Sequence, residues 1–472
     1  MRRVLLVNTN VEKAPYPVPP VGVCLLASAL DGRYELKVYD GVFGEGRGLQ
    51  ELVLEFEPAF VGFSIRNIDD VIKERTIFYI DGILEKFIRP VREVTGVPFI
   101  LGGSGFSIFP DELLTLTGAD YGIIGEAVDL LPLLLDRLSA GESPAGIPNV
   151  VVRGNRLPFA AAVIAPASSK FSDIDRWIDF DPYRAKGVYS IQTKRGCSHG
   201  CIYCTYPMIE GKSFRPRDPS DVADEIEQAR DRLGDVTFEF VDSTFNDPEG
   251  HAEAICRELI RRKIDVRLRT MGINPRNASE ELFELMVQAG FRQIDATPDS
   301  ASPAVLRKIG KGFGLPAIQR MARLIRQFDL PTMWFFLFGG PGENESTFLE
   351  TLSFIDTFIN PLDLVFMSSG MRIYPNTPLH RIALREGSVH PGESLLYPPR
   401  FYAPRGISFE RLDSLIVSAT QERFNCVPAW QTSPSADMIA KAIEMRKNGY
   451  GDEPMFRTLL RVRKARMQAD KM

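Results

Sequence analysis

Short apolar strands alternate with helical segments twice along this chain, and that alternation limits the folds that the chain can adopt. The first series runs from the N-terminus to about residue 140, and the second begins at Val188. Strand–helix alternation is typical of parallel sheets that are covered by helices. A chain of 472 residues has room for two or three domains. The pattern therefore predicts two α/β domains in succession.

The first series predicts a flavodoxin-like (Rossmann-type), doubly wound domain over residues 1–145. Its five strands are predicted at residues 4–7, 35–39, 60–64, 99–101 and 121–124. Residues 146–185 carry glycine, proline, serine and alanine without periodicity, which predicts a linker.

The second series predicts six strand–helix units over residues 186–394. Its strands are predicted at residues 188–193, 236–241, 266–270, 293–297, 332–338 and 364–372. Six units are too few for a closed eightfold barrel, so we expect a partial (β/α)6 barrel. Residues 395–472 are predicted to form a small helical C-terminal region.

Composition excludes several classes of function. The chain has 56 basic and 61 acidic residues, a formal charge of −5, and no basic tail, so we expect no nucleic-acid partner. No stretch approaches the roughly 18 apolar residues that span a bilayer. The apolar run 4–7 is too short for the core of a signal peptide. We therefore expect a cytoplasmic protein without a membrane span.

Three of the six cysteines, Cys197, Cys201 and Cys204, follow the first strand of the second series. Thiolates bind four-iron clusters, and three of them leave one iron free to take a small molecule. Zinc is the alternative, but a structural zinc site needs four ligands. His199 lies between two of the cysteines, where it would be hard to share one ion with them, and the remaining cysteines are scattered singly. A disulfide is less consistent with a cytosolic chain.

Small and polar residues follow the strands of the first domain, where doubly wound folds bind ligands. Glycines at such positions allow a ligand to approach the backbone closely. Ordinary α/β loops are also small and polar, so this pattern alone leaves both interpretations open. The residues of interest are Pro20, Gly22, Ser64, Arg66, Gly102, Gly103, Ser104, Gly125 and Glu126.

The C-x3-C-x2-C spacing, with Tyr203 before the last cysteine, resembles that of the radical S-adenosylmethionine (SAM) enzymes. The resemblance implies a 4Fe-4S cluster on Cys197, Cys201 and Cys204. It also implies that the open iron chelates SAM, and that one electron cleaves SAM to a 5′-deoxyadenosyl radical. Polar motifs at later strand ends also resemble that class. The implied SAM contacts are Tyr203, Asp242, Ser243, Asp299, Ser300, Gly339, Gly340, Pro341 and Arg372.

In order and placement, the polar stretches of the first domain resemble the cobalamin-binding domain that is fused to one large class of radical SAM enzymes. This resemblance implies that the nine residues named for that domain contact cobalamin. Three departures are present. The chain's four histidines, His199, His251, His380 and His390, all lie outside this domain. No Asp-x-His-x-x-Gly motif supplies a histidine to cobalt, and the last motif reads Gly125-Glu126-Ala127-Val128 where the class usually has Gly-Glu-Gly-Glu.

The resemblance implies an enzyme that acts on an unactivated carbon of a small metabolite, with cobalamin-dependent C-methylation as the leading reaction. Rearrangement, ring formation or dehydration without a catalytic role for cobalamin is the alternative. Methylthiolation predicts additional cysteines upstream, which are not visible, and a non-catalytic cobalamin sensor predicts no SAM cleavage. Flavodoxin or ferredoxin is the implied electron donor.

Overall fold

The computed structural model describes residues 1–44, 48–155, 171–431 and 433–469. Residues 156–170, in the predicted linker, lie outside the described residues. Within the described ranges the chain forms two large sheets, each built mainly from parallel strands. No helix in these ranges is long and apolar enough to cross a membrane.

The first sheet has six strands in the order β2-β1-β3-β4-β5-β6. The first five strands are parallel, and β6 pairs with β5 in the antiparallel sense. The parallel part has the strand order of flavodoxin-like folds, as predicted. The strands are β1 (Arg3–Asn8), β2 (Glu35–Asp40), β3 (Phe60–Ser64), β4 (Phe99–Gly102), β5 (Tyr121–Ile123) and β6 (Val150–Val152). The helices are α1 (Val21–Leu30), α2 (Leu49–Phe56), α3 (Tyr79–Ile83), α4 (Arg89–Val94), α5 (Ser104–Ile108), α6 (Pro110–Thr117) and α7 (Leu130–Ser139).

The second sheet has seven parallel strands in the order β17-β14-β13-β12-β11-β10-β7. Because β7 and β17 are its two edges, the sheet is open, as expected for a partial barrel. Its strands are β7 (Tyr189–Ile191), β10 (Thr237–Phe240), β11 (Arg267–Ile273), β12 (Phe291–Asp299), β13 (Thr332–Phe338), β14 (Leu364–Ser369) and β17 (Cys426–Pro428). Two short ribbons pair β8 (Lys194–Arg195) with β9 (Arg215–Pro216), and β15 (Met371–Arg372) with β16 (Phe401–Tyr402).

Helices follow or precede most strands of the second sheet. They are α8 (Ile174–Trp177), α9 (Asp181–Lys186), α10 (Tyr206–Ile209), α11 (Pro219–Leu233), α12 (His251–Arg262), α13 (Glu280–Ala289), α14 (Pro303–Ile309), α15 (Leu315–Gln327), α16 (Glu345–Phe358), α17 (Pro378–Glu386), α18 (Phe409–Glu422), α19 (Ala436–Met445) and α20 (Met455–Ala469). Helix α11 begins as its sequence predicts, since the Asp218 carboxylate accepts a hydrogen bond from the Ser220 amide and Pro219 is the first helical residue.

Alternate residues of the second sheet face opposite sides. Phe238, Leu268, Ile294 and Trp334 are buried against the helices in one continuous hydrophobic core. The intervening side chains, such as Glu239, lie on the opposite side, which we call the inner face. A parallel sheet that is apolar on one face and carries charges on the other indicates that the charged face has a function.

Three features differ from the sequence-based expectations. Strand β6 lies within the predicted linker and extends the first sheet. The C-terminal region is helical, as predicted, but it also contributes β17, which pairs with β14. The sequence pattern across Ile72–Val94 predicts one long helix, whereas the helix begins at Tyr79 and passes through a π-helical turn at Leu84–Ile88.

Candidate active site

The three clustered cysteines lie in a loop that leaves β8 and returns at β9. The antiparallel pairing of these two strands closes the loop at its base. The Cys197 amide donates to the Gly211 carbonyl (3.1 Å), and the Cys204 amide donates to the Cys201 carbonyl (3.3 Å). Cys197 is buried, whereas Cys201 and Cys204 are partly exposed. The loop therefore holds three thiols close enough to one another for Cys204 to interact electrostatically with both Cys201 and Cys197.

Gly196 sets the entry to this loop. Its φ of +81° is in the left-handed region, and a Cβ atom would lie 2.1 Å from the Ser213 carbonyl oxygen. Its amide donates to the Glu210 carboxylate (3.1 Å). Only glycine fits such a close crossing of two backbone segments.

The donor set fits an iron–sulfur cluster. Burial raises the pKa of all three thiols, to about 12 for Cys204, while the Lys311 ammonium opposes that rise at Cys201 and Cys204. Within the described ranges no three His, Cys, Asp or Glu side chains converge as ligands of a single metal ion. A cubane places each thiolate on a separate iron and does not require such convergence.

His199, the candidate fourth ligand for zinc, is engaged elsewhere. Its Nε2 lies 2.8 Å from the Asp247 carboxylate and 3.2 Å from the Asn274 amide nitrogen. Asp247 also accepts hydrogen bonds from Thr244 and Asn277. This network ties the cysteine loop to the segment after β10.

Tyr203 and Asp299 come together beside the cysteines. The Tyr203 hydroxyl donates to the Asp299 carboxylate, which also lies 3.0 Å from the Lys311 ammonium. Asp299 has a φ of +64°, a strained conformation for a residue other than glycine. Lys311 donates to the Thr297 carbonyl as well (2.9 Å). Sequence analysis missed Lys311, although the flanking Gly310 and Gly312 indicate a tight, specialised turn.

Asp242 and Ser243 lie at the end of β10, next to the loop. The Asp242 carboxylate accepts hydrogen bonds from the Thr193 amide (2.8 Å), the Thr193 hydroxyl (2.6 Å) and the Lys194 ammonium (3.1 Å). Lys194 and Asp242 are fully buried, so the pair holds β8 against the segment that follows β10. The Ser243 hydroxyl donates to the Gly196 carbonyl (3.4 Å) and lies beside Cys197.

Gly339, Gly340 and Pro341 form the turn between β13 and α16. Gly339 has a φ of +90°, and its amide donates to the Glu343 carboxylate (3.2 Å). Ser300 is fully buried and shares a hydrogen bond with Thr351 (3.4 Å). The turn follows a strand end of the second sheet, whereas the Ser300 hydroxyl accepts a hydrogen bond from the Ser302 amide (3.0 Å).

The Arg372 guanidinium is held by hydrogen bonds to other residues of this protein. Its Nε atom donates to the Asp69 carboxylate (2.9 Å), and its terminal nitrogens donate to the Ile373 and Leu395 carbonyls (2.8 and 2.7 Å). The guanidinium therefore joins the two domains. Its predicted contact with SAM remains a prediction.

The polar residues of the first domain gather at the carboxyl edge of its sheet. Ser64 is the last residue of β3 and Arg66 follows that strand, while Gly103 and Ser104 follow β4. The Ser104 hydroxyl donates to the Arg66 carbonyl (2.9 Å). Among the described residues, and apart from the adjacent residues of the chain and of helix α1, no atom lies within 4 Å of a Cβ built on Gly22 or Gly102. A cavity of about 210 Å³ lies beside this edge, and Thr9 and Arg66 are among its lining residues. The edge thus has open space beside small residues at the position where doubly wound folds bind ligands.

Glu126 connects this edge to the cysteine loop. It follows Gly125 at the end of β5, and its carboxylate pairs with Arg195 (2.9 Å) and with Arg215, which flank the loop. The Gly125 amide donates to the Ser107 hydroxyl (2.8 Å). Pro20, the remaining predicted residue, is buried at the start of α1. The two candidate cofactor regions are therefore in direct contact.

The sequence pattern of the Radical SAM superfamily matches residues 191–355. The chain contains a radical SAM domain. This match confirms the resemblance drawn from the cysteine spacing. It covers β7 through most of α16, and it includes the cysteine loop and the strand ends that surround it.

Two relatives that are named as methyltransferases match a larger part of the chain. A tryptophan 2-C-methyltransferase of Streptomyces laurentii is 27% identical over 79% of this chain and 73% of its own length. An uncharacterized methyltransferase of Pyrococcus horikoshii is 23% identical over 81% of this chain and 83% of its own length.

A solved structure shares the whole fold. The radical SAM methyltransferase TsrM from Kitasatospora setae, with cobalamin and a [4Fe-4S] cluster bound, has a TM-score of 0.79 and 23% identity over 100% of this chain and 99% of that one. A second structure of that enzyme contains tryptophan and a SAM analogue. The likeness confirms the predicted fold class: a doubly wound first domain, a partial barrel and a helical C-terminal region.

Proposed function

We propose that this protein is a cobalamin-dependent radical SAM enzyme that methylates a carbon atom of a small molecule. The observation that carries the proposal is the contact of Glu126, at the cofactor edge of the first domain, with Arg195 and Arg215, which flank the cysteine loop. That contact brings the open edge of the first domain to the site of the cluster. Methyl transfer between two cofactors requires such proximity.

Each cofactor has candidate ligands in the chain. Cys197, Cys201 and Cys204 would hold the cluster, and Tyr203, Asp299 and the turn at Gly339–Pro341 would border SAM. The small residues at Gly22 and Gly102 would lie against cobalamin. When bound, the cluster supplies an electron to SAM, and cobalamin carries the methyl group.

The chain's own residues position these groups and exclude water. The buried pair of Lys194 and Asp242 fixes β8, from which the cysteine loop departs, against the segment that follows β10. Lys311 places a cation beside Cys201 and Cys204, where it offsets the negative charge of bound thiolates. Rigid support of this kind keeps reacting groups in place.

Tryptophan is the first substrate to test, because a similar enzyme is named for methylation of its C2 atom and another was solved with it bound. We further propose that a small redox protein, flavodoxin or ferredoxin, donates the electrons and that the enzyme acts in the cytoplasm.

The test is anaerobic reconstitution with iron, sulfide and excess cobalamin, followed by reaction with SAM, a reductant and tryptophan. We expect a product heavier by one methyl group, and by a trideuteromethyl group when the SAM methyl is deuterated. S-adenosylhomocysteine and 5′-deoxyadenosine should be measured in the same samples. If the protein takes up no cobalamin from an excess, methylation by this route is wrong, and rearrangement, ring formation or dehydration becomes the better interpretation.

A further inference from the structure

The inner face of the second sheet carries a buried charged cluster. Glu239, Arg269 and Asp295 lie on the adjacent strands β10, β11 and β12, and Glu239 and Arg269 are register partners. The Arg269 Nε atom donates to the Glu239 Oε1 atom (2.7 Å). The Tyr16 hydroxyl donates to the same oxygen (2.8 Å), and its ring centroid lies 3.9 Å from the guanidinium carbon. The cluster therefore joins three strands to the segment between β1 and α1.

Each member of this cluster has an atom without a partner among the described residues. These atoms are the Glu239 Oε2, Arg269 Nη2 and Asp295 Oδ1 atoms. The Ser190 hydroxyl on β7 also lacks a hydrogen-bond partner among the described residues. Glu239 is 2% exposed and Asp295 is 8% exposed. A buried polar group that lacks a hydrogen bond costs free energy, and a buried charge costs more. Three such atoms on neighbouring strands indicate a binding site for a polar ligand.

The unpartnered atoms determine which ligand fits. Two are carboxylate oxygens, which accept hydrogen bonds, and one is a guanidinium nitrogen, which donates. Neighbouring strands are about 4.8 Å apart, so the donor and the acceptors lie within reach of one small molecule. A ligand with an ammonium group beside a carboxylate group satisfies atoms of both kinds at once.

The inner face becomes aromatic next to this cluster. Phe335 on β13 and Phe366 on β14 stack with ring centroids 4.9 Å apart and an interplanar angle of 14°. Both rings are half-buried, and neither belongs to the core that covers the other face. Asp295 pairs in register with Met333, two residues before Phe335. A ligand anchored at the charged cluster thus has an apolar surface beside it for a ring.

We propose that Glu239, Arg269 and Asp295 form the subsite that holds the ammonium and carboxylate groups of an α-amino acid substrate. The proposal rests on the methyltransferase function proposed above and assigns the residues that anchor its substrate. The carboxylates of Glu239 and Asp295 bind the ammonium group, and the free nitrogen of Arg269 binds the carboxylate group. Tyr16 is a positioning residue, because it holds Glu239 and Arg269 from the first domain.

Binding of tryptophan and two analogues to the cofactor-loaded protein tests this assignment by calorimetry. Tryptamine lacks the carboxylate group, and indole-3-propionate lacks the ammonium group. A charge-assisted hydrogen bond contributes enough that we expect each analogue to bind about 10- to 100-fold more weakly than tryptophan. Equal affinity for all three ligands would overturn the proposal.

Two substitutions test which residue binds the ammonium group of the ligand and which binds its carboxylate group. Asp295→Asn should weaken tryptophan binding at least tenfold and leave indole-3-propionate unchanged, whereas Arg269→Gln should weaken tryptophan and spare tryptamine. The matched controls are Asp235→Asn and Arg267→Gln, which change an exposed ion pair near the same strands. The controls should bind all three ligands as the unaltered protein does. If Arg269→Gln does not fold, Asp295→Asn alone decides the outcome.

Failure of this proposal is separate from failure of the proposed function. If tryptophan and the other aromatic amino acids do not bind but another small molecule is methylated, the subsite assignment is wrong and the methyltransferase function stands. If tryptophan binds with the expected dependence on Asp295 and Arg269 but no methyl group is transferred, the subsite stands and the proposed reaction is wrong.

Discussion

The Arg372 guanidinium lies 2.9 Å from the Asp69 carboxylate, and the two side chains are 3% and 0% exposed. Arg372 belongs to β15, beside the second sheet, and Asp69 follows β3 of the first domain. The pair is thus an ion pair between domains that is removed from solvent. Breaking such a pair on one side leaves an uncompensated buried charge.

Replacing Asp69 with alanine should therefore destabilise the protein strongly. We expect the free energy of unfolding to fall by about 3–5 kcal/mol, because Arg372 keeps its charge and loses its partner. The matched control is Glu345→Ala, which removes the exposed partner of Arg411 and should cost about 0–1 kcal/mol. Urea unfolding followed by circular dichroism measures both. Equal losses would show that the Arg372–Asp69 pair has no special role.

Alanine substitutions at two neighbouring glycines of the first domain distinguish an effect on folding from an effect on cofactor binding. Gly103 has a φ of +97°, and a Cβ atom there would lie 2.5 Å from the Ile65 carbonyl oxygen, so Gly103→Ala should destabilise the domain. Within the part of the chain that the structure describes, and apart from its two neighbours in sequence, Gly102 has no atom within 4 Å of its Cβ position. Gly102→Ala should leave the unfolding midpoint almost unchanged and reduce cobalamin uptake. Unaltered uptake in Gly102→Ala would remove Gly102 from the cobalamin site.

The sequence could predict the sheets because each strand is a compact apolar run that ends at a turn residue. It could not predict β6 and β17, because three-residue strands such as Val150–Val152 are too short to show a period. The start of the helix at Tyr79 was also missed, since Lys73–Arg75 forms a separate 3₁₀ turn before it. Short elements depend on contacts that are distant in the sequence.

The sequence predicted which segments of the chain carry the candidate site. It did not predict which side chains in that site form ion pairs with one another. It identified the three cysteines by their spacing. It could not show that Lys194 forms an ion pair with the Asp242 carboxylate or that Asp69 forms one with Arg372. The charged cluster at Glu239 was missed for a different reason. In Thr237–Phe240, one charged residue lies between two phenylalanines, and that alternation was a signal that one face of the strand is not core.

The same substitution, cysteine to alanine, can be compared at a predicted cluster ligand and at a cysteine outside the cluster loop. Cys201→Ala should abolish the brown colour and the iron content of the anaerobically reconstituted protein, because the cluster would lose one of its three thiolates. Cys256→Ala removes a fully buried cysteine from α12 and should keep both properties. Iron analysis and absorbance measure the outcome. A full iron complement in Cys201→Ala would contradict the assignment of the cluster ligands.

The last prediction concerns the pH dependence of substrate binding. Burial raises the pKa of Asp295 to about 7, and Glu239 adds to that rise while Arg269 and Gln293 oppose it. Below pH 7 the carboxyl group is protonated and does not pair with an ammonium ion. An ammonium ligand favours the ionised form, so its affinity should rise as the pH increases and level off above about 7.

Calorimetric titration of tryptophan across this range checks the prediction. We expect affinity to fall by up to tenfold per pH unit below 7, since one proton must be displaced for each ligand bound. Asp295→Asn should show a flat profile because asparagine does not titrate. Asp235→Asn should keep the slope because Asp235 is exposed and pairs with Arg267, which is not a member of the cluster. Indole-3-propionate, which lacks the ammonium group, should not gain affinity above pH 7. A slope that persists in Asp295→Asn would assign the proton to another group and contradict the role of Asp295.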